Sequence, residues 1–173
     1  CEKINEFHTA KDEWICSVAA FQREEDGRVL VVTGNTSGMI RMRVADSGEL
    51  IGHWQAMREI VSDVAIAAKA GKVMGVYGSD GVCIWSFGGE DWPPDLESSS
   101  RAIDDGMLLL LPPSRATDDD VEKARKKNNQ SIHSSWISSI TFSDDGKVAA
   151  SCALGEEFVL VWDTATGTVT RKL

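Results

Sequence analysis

Basic residues are scarce in this chain. Lys and Arg total 18 against 27 Asp and Glu, which leaves a formal net charge of −9 and a pI near 4.8. Phosphate backbones and anionic lipid surfaces call for the opposite field, so the balance disfavours nucleic acid and membrane surfaces as partners. The one basic run, Lys123–Lys127, follows directly on acidic residues. Neutral or basic protein surfaces suit such a molecule better. Long apolar runs are missing as well. The longest aliphatic stretch, Leu108–Leu111, is stopped by Pro112, far short of the ~20 residues that cross a bilayer, so no membrane insertion is expected. No basic segment followed by an apolar one opens the chain, and no secretory signal is legible. The first residue is Cys1 rather than Met, and the expectation is a piece of a longer protein.

Close cysteine pairs are absent too. Cys1, Cys16, Cys83 and Cys152 stand far apart with no Cys-x-x-Cys, whereas cysteine metal sites are built on close pairs. Cys16, Cys83 and Cys152 lie in strand-like apolar runs and read as small buried hydrophobes. Reduced thiols of this kind fit an intracellular protein, cytoplasmic or nuclear. Catalytic signatures are missing in turn: no Gly-x-Ser-x-Gly elbow, no glycine-rich phosphate loop with its lysine, no His-Glu-x-x-His. The acid pairs Glu24-Glu25, Asp104-Asp105 and Asp144-Asp145 fall in turns or loops, where carboxylates are solvated. The sequence therefore assigns no catalytic, cofactor-binding or metal-binding residue, and no enzymatic activity.

What is present is repetition. Trp14-Ile-Cys-Ser-Val18, Ile60-Val-Ser-Asp-Val64 and Trp136-Ile-Ser-Ser-Ile140 align, each followed by alternating apolar residues that suit a strand with one buried face. Each then reaches a turn made of glycine, a basic residue and valine: Gly27-Arg28-Val29, Gly71-Lys72-Val73 and Gly146-Lys147-Val148. Second strands are expected at Val29–Thr33, Val73–Tyr77 and Val148–Cys152, with a composition that suits a sheet covered on both faces. Third strands follow at Met39–Val44, Val82–Trp85 and Phe158–Trp162, and fourth strands at Glu49–Trp54 and Thr168–Leu173. His8, His53 and His133 each precede a first strand. A four-stranded meander of about 40 to 45 residues is the size of a propeller blade.

These residues resemble the WD-repeat β-propeller family. The third repeat carries the fullest signature, with His133, Ile140-Thr-Phe-Ser-Asp-Asp-Gly-Lys-Val148, Val159-Leu-Val-Trp162-Asp163 and Thr166-Gly167. The second keeps His53, Asp80-Gly81 and Ile84-Trp85, with Ser86 where the family has Asp; the first keeps His8 and Gly38 but has Arg43 at the Trp position. The resemblance implies an all-β, partial β-propeller of about three four-stranded antiparallel WD-repeat blades, with a loop and short-helix insertion. Blades are expected at 8–54, 55–111 and 132–173, with residues 1–7 as the outer strand of a preceding blade. The insertion starts near 88, Met107–Leu111 serves as a displaced fourth strand, and 112–131 holds loop and a short helix capped by Thr117. The family's structural tetrad of His, Ser or Thr, Asp and Trp implies His53, Asp80 and Trp85 for the second blade. For the third it implies His133, Ser151 or Cys152, and Trp162, with Glu156 in place of Asp.

The resemblance further implies a non-catalytic scaffold for other proteins. The alternative is a structural propeller segment of a large multidomain trafficking or enzyme-associated protein, packing mainly within its own chain. Open blade faces expose strand surfaces that proteins avoid exposing, so missing blades are expected to come from the same chain or from self-association. Partner contacts are expected at the loops entering the first strands, with Trp14, Met57, Arg58 and Trp136 as the residues of the hot-spot type.

Overall fold

Each repeat folds into one antiparallel meander. The computed structural model describes residues 6, 13–24, 26–55, 58–78, 81–87, 108–109 and 133–173. The first sheet holds β1 (Ile15–Gln22), β2 (Val29–Asn35), β3 (Ile40–Val44) and β4 (Leu50–Trp54). The second holds β5 (Asp63–Ala67), β6 (Lys72–Tyr77), β7 (Gly81–Ser86) and β8 (Leu108–Leu109). The third holds β9 (Ile137–Phe142), β10 (Val148–Ala153), β11 (Val159–Asp163) and β12 (Thr168–Lys172). Strands run in sequence order within each sheet, all pairs antiparallel. The short apolar run before Pro112 supplies β8, where Cys83 pairs with Leu109 and Ile84 with Leu108. Apart from Glu6, the expected outer strand at 1–7 lies outside the described residues, as do the helix after Thr117 and Asp80.

The three Gly-basic-Val turns carry glycine at φ 70, 58 and 63, the left-handed region that side chains disfavour. At Gly146 a second constraint applies, because a Cβ would meet that of Ala70 in the neighbouring blade at 2.4 Å.

The blades stack through their first strands, β1 against β5 and β5 against β9. Two apolar layers result. Leu30, Val32, Ile40, Met42 and Trp54 of blade 1 pack on Val64, Val73, Tyr77, Cys83 and Trp85 of blade 2. Met74, Val76, Val82 and Ile84 of blade 2 pack on Ile140, Ala149, Leu160 and Trp162 of blade 3. Every blade thus has a leading face, toward the preceding blade position, and a trailing face toward the next.

Of the three second strands, β6 alone is buried along both faces. In β2 and β10 buried residues alternate with more exposed ones. The expectation of double coverage for all three second strands is corrected: the end blades have one neighbour each within the described residues. Cys16 is corrected for the same reason. It lies exposed on the leading side of β1, whereas Cys83 is buried and Cys152 half-buried.

Candidate functional site

Blade 3 builds a hydrogen-bonded chain from β10, β11, the turn between them and the loop before β9. Trp162, on β11, is fully buried, so its indole N–H needs an acceptor in the interior. It donates to Ser151 Oγ on β10 at 2.8 Å, and that same oxygen lies 2.8 Å from His133 Nε2. His133 Nδ1 contacts the Glu156 carboxylate, whose other oxygen accepts from Ser134 N at 2.6 Å and from Ser134 Oγ at 2.8 Å. Burial works to raise the Glu156 carboxyl, but the bonds from His133 and Ser134 outweigh it and hold it below its ordinary value. The His133 ring stacks on Phe158 at 5.7 Å, and Lys172 Nζ sits 3.5 Å from the Phe158 centroid, tying β12 to the same cluster. Of the two hydroxyl or thiol candidates, Ser151 makes the contacts to His133 and Trp162. Cys152 sits beside Ser138, 3.6 Å from its Oγ.

Blade 2 is built differently. Trp85 lies on the leading face, 6.5 Å from Trp54 and 6.3 Å from Tyr77, measured between ring centroids. His53 pairs with Arg41 across β3 and β4, one residue from Trp54. Alternation puts Trp54 toward Trp85 and His53 on the opposite side of the sheet. The grouping of His53 with Trp85 is therefore corrected. His133 stands three residues before Trp136, but His53 stands seven before the aligned Ile60, far enough back to fall inside β4. Gly75 also occupies the register position of Ser151, since it pairs with Cys83 as Ser151 pairs with Leu160. A Cβ there would lie 2.3 Å from Ile40 Cδ1, so close blade packing takes the place of a hydroxyl. Burial pushes the Cys83 thiol up to about 12.

Blade 1 carries Thr33 and Arg43 at the Ser151 and Trp162 positions. Arg43 Nη1 donates to Gly48 O at 3.0 Å. Polar order here comes from a residue the sequence pattern does not single out. Glu13 accepts from Asn35 Nδ2 at 2.8 Å, Ser37 Oγ at 3.0 Å and Arg41 Nη1 at 3.2 Å. Its only sequence signal is its place next to Trp14. Between blades 2 and 3, Lys72 Nζ donates to Gly146 O at 3.2 Å and lies 3.0 Å from Thr164 Oγ1, a second contact absent from the sequence reading.

Trp14, Arg58 and Trp136 each precede a first strand, on the side where the turns between second and third strands lie. Thr36 N donates to Trp14 O, and Leu154 N to Trp136 O, the same bond in blades 1 and 3. Trp14 is 75% exposed and Leu154 59%, and Arg58 is exposed in a bend ahead of β5. Trp136 lies over Gly78 of blade 2, where a Cβ would come within 2.9 Å of its ring, and keeps 39% of its surface in solvent. Met57 lies outside the described residues. Among the described residues no helix is long and apolar enough to cross a membrane.

No known protein-family profile matches the chain. No curated protein matches it either. Solved structures do. A chain of an active polycomb repressive complex 2 in the basal state is similar with a TM-score of 0.63 at 16% identity, over 94% of this chain and 28% of that one. A chain of the mitotic checkpoint complex gives 0.62 at 13% identity, over 96% and 40%. The computationally designed Ika8 protein gives 0.54 at 19% identity, over 92% and 36%. The chain thus spans less than half the length of each. At such identities the likeness is one of fold: the chain is an all-β, partial β-propeller.

Proposed function

We propose that the chain is a non-catalytic, WD-repeat-type scaffold that binds other proteins in the cytoplasm or nucleus. Fold alone does not give this reading. The observation that carries it is the rim, where Trp14, Trp136 and Leu154 remain in solvent although the strands behind them pack tightly. Large aromatic side chains anchored at strand starts, and an arginine such as Arg58 ahead of β5, are the residue types that dominate interface energies. The test uses a partner recovered with the full-length protein and quantified by titration. Trp14→Ala and Arg58→Glu should each weaken its affinity, while Arg58→Glu moves stability by no more than ~0.5 kcal/mol. If Arg58→Glu and Met57→Ala both leave that affinity unchanged, this rim is not the binding surface and the 88–131 insertion becomes the candidate.

A second reading is favoured by the trailing face of blade 3. Register places Thr141, Ala150, Cys152, Val159 and Val161 where blade 2 has Ala65, Met74, Val76, Val82 and Ile84, which blade 3 covers. A further blade would cover it likewise. In this reading the chain is a structural segment of a larger propeller in a multidomain trafficking or enzyme-associated protein.

A further inference from the structure

Ser134 is exposed in the loop before β9, outside any strand. Among the described residues, its N–H and its hydroxyl both donate to one carboxylate oxygen, Glu156 Oε1, at 2.6 and 2.8 Å. The other oxygen of Glu156 contacts His133 Nδ1. Glu156 therefore works as a latch. From the turn after β10 it grips two consecutive residues of a loop that ends in Trp136, the side chain lying over Gly78 of blade 2.

Other hydroxyl–carboxylate contacts of blade 3 are local. Ser143 with Asp145 and Thr166 with Asp163 are two and three residues apart, in exposed turns where the groups can separate into water. Glu156 and Ser134 are 22 residues apart, and the carboxylate cannot turn away. Only 8% of the Glu156 side chain meets solvent, and the His133 side chain against it is fully buried. A hydroxyl within reach of solvent and of enzymes thus rests on a shielded carboxylate. A phosphoryl group on that hydroxyl adds a charge of about −1.5 to −2 directly beside Glu156. Neither described contact of Ser134 supplies a cation to offset it, and Lys172 is engaged on the Phe158 ring.

We propose that Ser134 is a site of reversible phosphorylation, and that the phosphate releases the Glu156 latch and frees the loop leading to Trp136. In the step, Ser134 Oγ bonds to the γ-phosphorus of a nucleoside triphosphate held by a protein kinase. The bond from that phosphorus to the β,γ-bridging oxygen breaks, the nucleoside diphosphate leaves, and the hydroxyl proton passes to a base of the kinase. Repulsion then separates the two anions. His133 follows Ser134 and leaves its stack on Phe158. Trp136 O and Ile137 N keep their bonds to Leu154 and Gly78, so β9 stays in place and the change is confined to the loop. The consequence for partner binding rests on the rim reading above.

The test compares full-length protein carrying phosphoserine at position 134 with the unmodified protein. Hydrogen exchange of the Ser134 amide should quicken about tenfold or more on phosphorylation, with β9 and β10 unchanged. Ser134→Asp should move it the same way by less, and Ser134→Ala, which keeps the backbone bond, should stay near the wild type. Glu156→Gln removes the repulsion and supplies an amide donor, so the increment caused by the phosphate should shrink in that background. Phosphopeptide mapping of the protein isolated from the cells that make it, with phosphatases inhibited, should find the phosphate on Ser134. The inference is overturned if none is found there, if the phosphorylated amide exchanges no faster, or if Glu156→Gln leaves the effect undiminished. Titration with a recovered partner separates this from the rim reading. A freed loop with unchanged affinity removes the rim as the binding surface and leaves the latch standing.

Discussion

Ser151 serves two buried rings with one oxygen, as acceptor for Trp162 Nε1 and as neighbour of His133 Nε2. Ser151→Ala leaves a fully buried indole N–H without its acceptor, a loss of about 1–3 kcal/mol. A lower denaturation midpoint in urea checks this, with Ser151→Thr expected to fall between the two. The acid limb of the stability curve belongs to Glu156. Its folded carboxyl lies below the ordinary 4.5, so its contribution is complete above that value and is lost as pH falls from there through the folded pKa. Thermal melts on the acid side should show this loss in the wild type and a flatter limb in Glu156→Gln. Thiol chemistry separates the cysteines: iodoacetamide should label exposed Cys16 in the native protein, and Cys83, with its pKa of about 12, only after unfolding. Of the residues joined around Ser151, His133 and Trp162 are legible because their spacing matches a repeat signature. Glu13 is not, because its partners come from β2 and β3, 22 and 28 residues away.

At the scale of elements, Gly75 sets how closely the first and second blades approach. Gly75→Ala would drive a methyl group into Ile40 Cδ1 and crowd the Trp85 ring at 3.3 Å. Overpacking of this kind costs about 1–3 kcal/mol. Hydrogen exchange should report it as lost protection in β3 and β6 together, whereas damage confined to β6 would contradict the packing argument. Strand existence was readable from alternation and from three glycine turns in register, and the observed ends differ from the sequence reading by one or two residues, as at Val29–Asn35. Side-chain facing was readable only in part. The pattern of β6 is buried throughout and that of β2 alternates, yet both sequences are rich in valine. The difference comes from how many blades flank each strand, which local composition does not encode. His53 was misplaced for a related reason. Its position before a first strand is a signal in sequence, but four extra residues carry it back into β4 and onto the other face.

For the whole molecule, the two ends of the arc are chemically unlike. The β3 strand of blade 1 places Arg41 and Arg43 opposite the residues buried toward blade 2, and the trailing face of blade 3 presents Ala150, Cys152, Val159 and Val161, all half-buried. Concentration-dependent association through this trailing face is the expected outcome in light scattering, and Val161→Lys should shift it toward monomer. Arg43→Leu should not reduce it.

The meander order within each sheet bears on how the chain is made. A blade whose strands pair only with sequence neighbours can complete its hydrogen bonds while later blades are still being synthesised. Blade 1 can close in this way once Trp54 has emerged from the ribosome. Blade 2 closes later after its third strand, because β8 pairs with β7 only after the connection from Ser86 to Leu108 has been made. That longer closure costs on the order of 1 kcal/mol more than a tight turn. Until then β7 has an open edge. The nascent chain therefore passes through an interval in which blade 1 is finished, blade 2 is a three-stranded sheet, and the surface awaiting Trp162 is bare. A chaperone acting during translation would find its target in that interval.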